Sequence, residues 1–375
     1  MKKETKCVHS GTIDDRMTGG VNSPVFPSSA FDYLDKSEVP YPRYFNTANQ
    51  KAVVDKVCAL EGAEDGVLFA SGMAAISSAI LAFAGNGDHV VMMDELYGGT
   101  HAFATEVFQR LGIGYSFAAT GAGPICSAAR ENTKVIIIES PTNPLLSVID
   151  IREIAEFARK RGIISIIDNT FATPMNQNPL EYGIDVVVHS GTKYLGGHSD
   201  LCCGIAVSSR GNAQRIRAVA RHVGGSVNAL TCYLLERSLK TLAIRVERQS
   251  ENAFLIAKFL ESHPKIKKVN YPGLPGSAHH ALAKAQMRAF GAIVSFEPDM
   301  DAWTFVKKLR LIKPAVSLGG IETTICSPAA TSHAKMSPEE RKRVGIGDRL
   351  LRLSVGIEHA DDLTADITVA LNEAG

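Results

Sequence analysis

An excess of charge of one sign is missing from this sequence, in which 40 Lys and Arg residues stand against 39 Asp and Glu residues. Proteins that bind nucleic acid usually carry a basic excess or a clustered basic stripe. We therefore expect no nucleic-acid partner. The 375 residues are 45% hydrophobic and 21% charged, which is typical of a globular protein with roughly two to three structural units.

A cysteine framework is missing too, because the seven Cys residues include no pair in C-x-x-C spacing. An odd number of scattered cysteines in a chain of this length argues against structural disulfides and indicates a reducing compartment. The basic N-terminal residues are followed by no apolar segment of the kind that a signal peptide requires. These features together predict a cytoplasmic protein.

The longest uncharged stretch, residues 66–87, is long enough to cross a bilayer. Ser71, Gly72, Ser77 and Gly85 dilute its apolar content, however, and polar and Gly residues close it as they would close a helix in water. We expect a buried core helix here and no membrane span.

Short apolar runs alternate with helix-period segments from about Lys51 onward, which predicts a mostly parallel sheet with helices on both sides. The first 50 residues are rich in Pro, Gly, Ser and aromatic residues without a sustained period, and they predict an extended arm. The predicted strands are 90–94, 134–140, 163–169 and 185–190, and predicted helices include 101–111 and 151–160.

A helical region from 228 to about 260 contains no Pro or Gly and is expected to lead out of the sheet domain. Beyond it, strands are predicted at 292–297 and 350–355, and Ser337-Pro338-Glu339-Glu340 has the composition of a helix start. The predicted organisation is an arm over residues 1–50, a large domain over 51–245 and a smaller C-terminal domain over 246–375.

Three common catalytic motifs are absent or incomplete. Gly121-Ala122-Gly123-Pro124-Ile125-Cys126 has Cys where a dinucleotide fingerprint has its third Gly. Gly197-His198-Ser199-Asp200-Leu201 has Leu where a nucleophile elbow has Gly. No H-E-x-x-H occurs, and Cys202-Cys203 would point to opposite faces of a strand. We therefore expect no dehydrogenase, no serine hydrolase and no metal site.

Polar residues follow two of the predicted strands, where open parallel sheets bind their ligands. One strand ends in Asp168, and the other ends in Ser190 and is followed by Thr192 and Lys193. An enzyme that uses pyridoxal 5′-phosphate (PLP) needs a lysine for the Schiff base, an acid for the ring nitrogen and donors for the phosphate. If the strands are neighbours, Lys193 and Asp168 supply the first two, and the hydroxyls of Ser190 and Thr192 supply donors.

A second candidate anion site is Ser71-Gly72-Met73, which lies between an apolar run and a predicted helix. Backbone N–H groups at a helix start favour a phosphate, and Gly72 allows the backbone to approach it closely. Tyr97 follows another strand and precedes Gly98-Gly99, so its ring could lie on a flat cofactor.

At this point the sequence resembles the Cys/Met-metabolism PLP enzymes, a family of cystathionine γ-synthases, γ-lyases and β-lyases, methionine γ-lyases and homoserine sulfhydrylases. The resemblance covers nearly the whole chain. The motifs that carry it are Cys7-Val8-His9-Ser10-Gly11, Ser71-Gly72-Met73, Leu96-Tyr97-Gly98-Gly99-Thr100, Glu139-Ser140-Pro141-Thr142-Asn143-Pro144, Asp168-Asn169-Thr170-Phe171, the segment from His189 to His198, Val316-Ser317-Leu318-Gly319-Gly320 and Arg352-Leu353-Ser354-Val355-Gly356.

The resemblance implies a fold-type-I PLP-dependent transferase-like architecture, an α/β large domain with a mostly parallel sheet and a smaller α+β C-terminal domain. It implies that Lys193 forms the Schiff base, that Asp168 holds the ring nitrogen and that Asn143 lies beside the ring hydroxyl. Tyr97 resembles the stacking and acid/base tyrosine of the family. Arg352, whose planar guanidinium suits a carboxylate, resembles the clamp for the substrate α-carboxylate, and Ser317 is expected to bind the substrate with it.

The resemblance also implies a shared active site in a homotetramer built as a dimer of dimers. Tyr41 and Arg43 resemble the pair that reaches the phosphate in a neighbouring subunit. Family members commonly continue with Gly-Asn-Pro-Thr after this pair, whereas this chain has Tyr44-Phe45-Asn46-Thr47-Ala48. The loop near the substrate therefore departs from the family pattern.

The reaction within the family depends on few side chains. Gly99 stands where methionine γ-lyases carry Cys, which disfavours that activity. Glu322 matches an acid of cystathionine γ-lyases and γ-synthases and could pair with the distal amine of cystathionine, and Ile321 stands where bacterial β-lyases carry Tyr. Cystathionine γ-lyase is favoured, with γ-synthase and β-lyase as alternatives. A PLP scaffold that has lost catalysis is disfavoured while Lys193 and Asp168 remain.

Overall fold

Two β-sheets organise the computed structural model, which describes residues 1–334 and 336–374. The strands of the larger sheet are β1 (Asp65–Phe69), β2 (His89–Met93), β3 (Gly114–Ala118), β4 (Thr133–Glu139), β5 (Ile164–Asp168), β6 (Val186–Ser190) and β7 (Gly204–Ser208). Their order is β1-β7-β6-β5-β4-β2-β3. Only β7 runs antiparallel to its neighbours, so the prediction of a mostly parallel sheet is confirmed.

Helices cover this sheet and lead away from it. They are α1 (Lys3–His9), α2 (Ala48–Glu61), α3 (Gly72–Leu81), α4 (Gly98–Val107), α5 (Ala122–Ser127), α6 (Ile151–Arg161), α7 (Thr173–Asn176), α8 (Arg210–Val223), α9 (Ala229–Leu239) and α10 (Leu242–Ser262). Helix α6 illustrates their local logic, because Asp150 caps its first turn and Gly162 ends it with φ of 64°.

The smaller sheet consists of β8 (Ile266–Asn270), β9 (Ile293–Pro298), β10 (Lys313–Pro314), β11 (Thr324–Cys326) and β12 (Leu351–Ser354), in the order β10-β11-β12-β9-β8. Its helices are α11 (His280–Gln286), α12 (Ala302–Lys308), α13 (Pro338–Arg343) and α14 (Ala360–Ala374). The two sheets with their helices form the expected α/β plus α+β architecture. The predicted boundary between residues 245 and 246 falls inside α10, and the first strand of the small sheet begins at Ile266.

The prediction of one buried helix over residues 66–87 is wrong, because the stretch divides into β1 and α3. Ser71 separates them: its backbone is extended, and its side chain accepts a hydrogen bond from the N–H of Ala74, which caps α3. In the described part of the chain, no helix is long and apolar enough to cross a membrane.

The helical region over 228–260 is interrupted between α9 and α10. The buried guanidinium of Arg245 donates to the carbonyl oxygen of Ser238 at 3.0 Å and to the hydroxyl of Thr241 at 3.2 Å. A continuous helix would use the Ser238 carbonyl for the N–H of Leu242. The break therefore coincides with a hydrogen bond from the side chain of Arg245, seven residues further along the chain in α10, to the carbonyl oxygen of Ser238.

The first 50 residues are extended only in part. Residues 10–41 contain neither helix nor strand, but α1 precedes them and packs on α2 and α10 through the fully buried Cys7. The ammonium group of Lys3 donates to the carbonyl oxygen of Pro174 and to the side chain of Asn178. The N-terminal helix is thus anchored to the large sheet domain.

The expectation that Cys202 and Cys203 lie in a strand is also wrong, since β7 begins only at Gly204. Their exposures nevertheless differ, because Cys203 is buried while Cys202 is exposed. Cys203 packs under the turn that carries Gly191, where a Cβ would lie only 2.4 Å from its sulfur atom.

Candidate functional site

A cavity of about 480 Å³ lies at the carboxyl ends of β4, β5 and β6. These three strands are parallel neighbours, and their register places Glu139 beside Asp168. Helix α3 and the small sheet domain close the cavity from other sides, through Gly72 and Arg352. The rule that ligand sites lie at strand ends thus identifies the correct edge of the sheet.

Most of the site residues predicted from the sequence line this one cavity. They are Ser71, Gly72, Met73, Tyr97, Asn143, Asp168, Ser190, Thr192, Lys193, Ser317 and Arg352. Tyr41, Arg43 and Glu322 are not among its lining residues.

Lys193 is half-buried in this cavity, in the turn that follows β6. Its Nζ donates to the hydroxyl of Ser317 at 2.7 Å. Burial lowers the pKa of Lys193, and the positive charge of Arg352 acts in the same direction. A lowered pKa increases the fraction of neutral amine, which is the form that can attack a carbonyl or accept a proton.

Asp168 is buried at the end of β5. Its Oδ1 accepts hydrogen bonds from the N–H of Thr170 at 3.0 Å and from the hydroxyl of Thr170 at 2.5 Å. Burial raises the pKa of Asp168, whereas these hydrogen bonds and the nearby charges of His189 and Lys193 lower it. A cation placed against this carboxylate would stabilise its ionised form.

An anion cradle lies where α3 meets β6. The first N–H groups of a helix have no intrahelical partner, and here they belong to Gly72 and Met73. A Cβ on Gly72 would lie 2.9 Å from the Cβ of Ser190, so only glycine allows this approach. The hydroxyl of Thr192 is engaged elsewhere, because it donates to the carbonyl oxygen of Cys203 and accepts from the Cys203 N–H, both at 3.1 Å.

Arg352 reaches the cavity from β12 of the small sheet. Its Nη1 donates to Oδ1 of Asn143 at 2.8 Å, and its Nη2 donates to the carbonyl oxygen of Ser317 at 2.9 Å. Its Nε is buried and has no partner among the residues that the structure describes. Ser317 has a positive φ of 77°, a conformation that costs free energy in a residue other than glycine. Residues from both sheets therefore define this end of the cavity.

Glu139 and Thr170 contact predicted site residues, but the sequence analysis assigned neither of them to the site. Oε2 of the buried Glu139 accepts a hydrogen bond from the N–H of Tyr97 at 3.0 Å. Burial raises the pKa of Glu139 well above its usual range, and the neighbouring charge of Asp168 adds to this effect. Glu139 is the last residue but one of the predicted strand 134–140, so its position was visible in the sequence although its partner was not. Other unassigned lining residues are Ile76, Phe171, Cys202, Val316, Leu318, Thr331 and Ser332.

Glu139→Gln is expected to keep turnover close to that of the wild type, because the amide oxygen still accepts from Tyr97 and the amide imitates a neutral acid. Glu139→Leu removes the acceptor that positions the backbone of Tyr97 and should reduce kcat/KM about tenfold or more, since small misplacements of a group at the reacting centre are costly. Steady-state kinetics of the two variants measures this difference. A large loss in Glu139→Gln would mean that Glu139 must be ionised.

His333, beside the lining residue Ser332, predicts a pH dependence of stability. Burial lowers the pKa of His333 to about 4 from 6.5, with the charge of Arg352 acting in the same direction. The unfolded chain then binds a proton that the folded chain does not, so this contribution is present above about pH 6.5 and is lost down to about pH 4. About 2 kcal/mol of this contribution has been lost at pH 5.

We expect the fall in Tm between pH 7 and pH 5 to be smaller in His333→Gln than in the wild type. Thermal unfolding at both pH values measures it. An identical fall in the two proteins would show that His333 does not titrate in this range.

Tyr41 and Arg43 lie on the exposed arm, away from the cavity. The guanidinium of Arg43 donates to the carbonyl oxygen of Arg221 at 2.7 Å, and its carbon lies 5.9 Å from the ring centroid of Tyr41. Glu322 is exposed near the turn of Gly320. The roles expected for these three residues remain predictions.

The residues of the cavity fit PLP. The cradle around Gly72 suits a phosphate, the buried Asp168 suits a protonated ring nitrogen, and Lys193 offers an amine with a lowered pKa. A Cβ on Gly99 would lie 2.5 Å from the ring of Tyr97 and 3.1 Å from the sulfur of Met73. Gly99 thus allows the Tyr97 ring its position at the cavity wall.

Comparison with known proteins agrees with this geometry. A family model described as Cys/Met metabolism PLP-dependent enzyme matches residues 4–372. Cystathionine gamma-lyase of Bacillus subtilis is 42% identical over 99% of this chain and 99% of its own length. Cystathionine beta-lyase of Coxiella burnetii is 41% identical over 98% and 97%.

A solved structure of cystathionine gamma synthase from Xanthomonas oryzae pv. oryzae, in complex with cystathionine, superposes with a TM-score of 0.96 at 35% identity. The alignment covers 100% of this chain and 98% of that one. The three relatives carry three different activities at similar identity, so they establish the family and the use of PLP rather than one reaction. The chain belongs to the Cys/Met metabolism PLP-dependent enzymes.

Proposed function

We propose that this enzyme cleaves cystathionine by γ-elimination, as a cystathionine γ-lyase does. The observation that carries the proposal is the contact of Lys193 with Ser317, which also binds Arg352 through its carbonyl oxygen. One residue thus holds the proton-accepting amine and the carboxylate clamp next to each other. This arrangement suits a substrate whose Cα and Cβ both face Lys193.

PLP would be held by groups that already converge in the cavity. Ser71, Gly72, Met73 and Ser190 would bind its phosphate, with Thr192 close by at the same turn. Asp168 would face the ring nitrogen, Asn143 the ring hydroxyl and Tyr97 the ring plane. When bound, PLP supplies a protonated ring that accepts the electrons released as the Cα–H bond breaks.

Proton transfer falls to Lys193 and Tyr97. γ-Elimination removes a proton at Cα and then one at Cβ before the γ-substituent leaves, and Lys193 would take both because its lowered pKa provides a neutral amine. Tyr97 would deprotonate the incoming amine of the substrate. Arg352 would hold the substrate carboxylate and so orient the Cα–H bond for proton removal.

Product analysis with cystathionine as substrate tests the proposal. Cysteine and 2-oxobutanoate would support γ-elimination, whereas homocysteine and pyruvate would identify a β-lyase. Formation of cystathionine from cysteine and an O-acylhomoserine, without cleavage, would identify a γ-synthase. Lys193→Ala serves as the control for non-enzymatic breakdown.

The role of Glu322 in substrate choice is tested separately. Its exposed carboxylate lies outside the cavity lining, but charge pairing with the distal amine of cystathionine would give it a role in substrate choice. Glu322→Ala should then raise KM for cystathionine more than KM for a shorter substrate that lacks this amine. An equal rise in KM for both substrates would show that Glu322 does not bind the distal amine.

We also propose that Tyr41 and Arg43 complete the active site of a neighbouring chain, in a tetramer of two dimers. The exposed arm supports this, since it displays the two side chains together while its own cavity lies elsewhere. Mixing inactive Arg43→Ala with inactive Lys193→Ala subunits should restore activity, because hybrid dimers contain one intact site. No recovery despite demonstrated subunit exchange would show that each site is built from one chain.

A further inference from the structure

A second cavity, of about 350 Å³, lies between the large and small sheet domains and shares no lining residue with the active-site cavity. Its floor is apolar and buried, with Leu146, Tyr271 and Leu274 each at most 3% exposed. Polar groups surround this floor, and ligand sites typically combine apolar surface with polar groups that fix the orientation of the ligand.

The polar groups of this second cavity carry charges of both signs. Glu261 comes from α10, Lys268 and Asn270 come from β8, and His279 comes from the loop before α11. Residues two apart in a strand point to the same face, so Lys268 and Asn270 face the cavity together. None of the ion pairs found within residues 1–334 and 336–374 involves Glu261 or Lys268.

Asn270 provides a second indication of a ligand. Its Nδ2 is buried and has no hydrogen-bond partner in the part of the chain that the structure describes. A buried donor without an acceptor is costly. Rotation of the Asn270 amide toward the cavity would bring this donor to an anionic oxygen beside Lys268.

We propose that this second cavity binds a free α-amino acid with an apolar side chain. Glu261 binds the ammonium group, Lys268 and Asn270 bind the carboxylate, and the side chain lies on the floor formed by Leu146 and Leu274. Because ammonium and carboxylate belong to one Cα, the site selects a zwitterion over a simple acid or amine.

The wall of the second cavity continues into the active site. Leu145, Leu146 and Ser147 line it, and they follow Asn143, which binds Arg352. Thr142 ties this loop together, since its N–H donates to the Ser147 carbonyl oxygen at 3.0 Å and its hydroxyl accepts from the Ser147 N–H at 2.9 Å. An occupant that presses on Leu146 therefore acts on Asn143 and on the arginine clamp, a coupling that rests on the proposed role of Arg352.

Equilibrium dialysis with radiolabelled L-leucine tests the site on the borohydride-reduced holoenzyme, whose cofactor can no longer react with amino acids. We expect one L-leucine bound per chain. 4-Methylpentanoate, which lacks the amine, and L-leucine methyl ester, which lacks the carboxylate, should compete at least about tenfold more weakly, because each loses a charge-assisted contact. Equal competition by either compound would overturn recognition of a zwitterion.

Variants assign the bound leucine to this cavity. Glu261→Gln and Lys268→Met should each weaken binding about tenfold, whereas the matched controls Glu247→Gln, also exposed on α10, and Lys267→Met should not. The Arg352→Gln holoenzyme, reduced in the same way, should still bind. Loss of binding in Arg352→Gln, or retention in Glu261→Gln and Lys268→Met, would place leucine elsewhere and overturn the proposal.

Coupling is measured as the effect of L-leucine on KM for cystathionine. In the wild type, L-leucine should change KM for cystathionine on the order of fivefold and change kcat little. Lys268→Met should not show this change in KM. Any direct competition of L-leucine with cystathionine at the active site should be the same in both proteins, so the difference in KM between them reports the second cavity alone. An equal effect of L-leucine on KM in the wild type and in Lys268→Met would overturn the coupling. The dialysis experiment needs no turnover, so it tests binding even if the proposed function is wrong.

Discussion

Lys193→Ala is expected to abolish turnover, with a loss of at least about 10²–10⁴-fold, the range typical of general acid–base groups. Within residues 1–334 and 336–374, Lys193 supplies the only amine that lines the cavity at the strand ends, and the proposed reaction needs it for two proton transfers. The side chain is half-buried, and its one hydrogen bond, to the hydroxyl of Ser317, connects surface-accessible groups. The variant should therefore fold, with a Tm equal to that of the wild-type enzyme from which the cofactor has been removed.

Borohydride treatment of the wild-type holoenzyme gives an independent measurement. The reduction fixes the cofactor covalently to the lysine that holds it, and peptide mass mapping should find the label on Lys193. Lys193→Ala should lose both the label and the yellow colour after dialysis. A label on another lysine, or turnover close to the wild-type rate in Lys193→Ala, would contradict the assignment.

Residues at the strand ends could be predicted because the information that places them is local. Short apolar runs identify β4, β5 and β6, and parallel strands bring their carboxyl ends together. Asp168 and Lys193 follow directly from this pattern. The same reasoning reaches Glu139, but nothing local indicates that its carboxylate turns to the N–H of Tyr97, which lies 42 residues earlier.

Contacts between segments far apart in the sequence could not be predicted from local patterns. Asn143 and Arg352 are 209 positions apart, and their hydrogen bond depends on how the small sheet packs on the large one. The buried guanidinium of Arg245, at the break between α9 and α10, also donates to the carbonyl oxygen of Tyr194, 51 positions earlier. The second cavity combines Leu146 with α10 and β8, so no single motif reports it.

Asp168→Asn is expected to fold normally and to lose turnover by roughly 10²–10³-fold, the range found when one electrostatic partner of a reacting centre is removed. The amide oxygen can still accept both hydrogen bonds from Thr170, so the turn after β5 keeps its geometry. What the variant removes is the negative charge opposite the ring nitrogen. Without that charge the ring loses its proton more readily and accepts the Cα electrons less well.

Asp185→Asn is a matched control for this experiment. Asp185 also accepts from the N–H and the hydroxyl of one residue, Ser165, at 2.9 and 2.7 Å, but it lies at the opposite end of β5 and outside the cavity lining. Comparison of kcat, Tm and the holoenzyme absorption spectrum in the two variants separates the charge at the ring from the loss of a hydrogen-bonded carboxylate. Equal kcat values in Asp168→Asn and Asp185→Asn would show that the ring nitrogen is held protonated by another group.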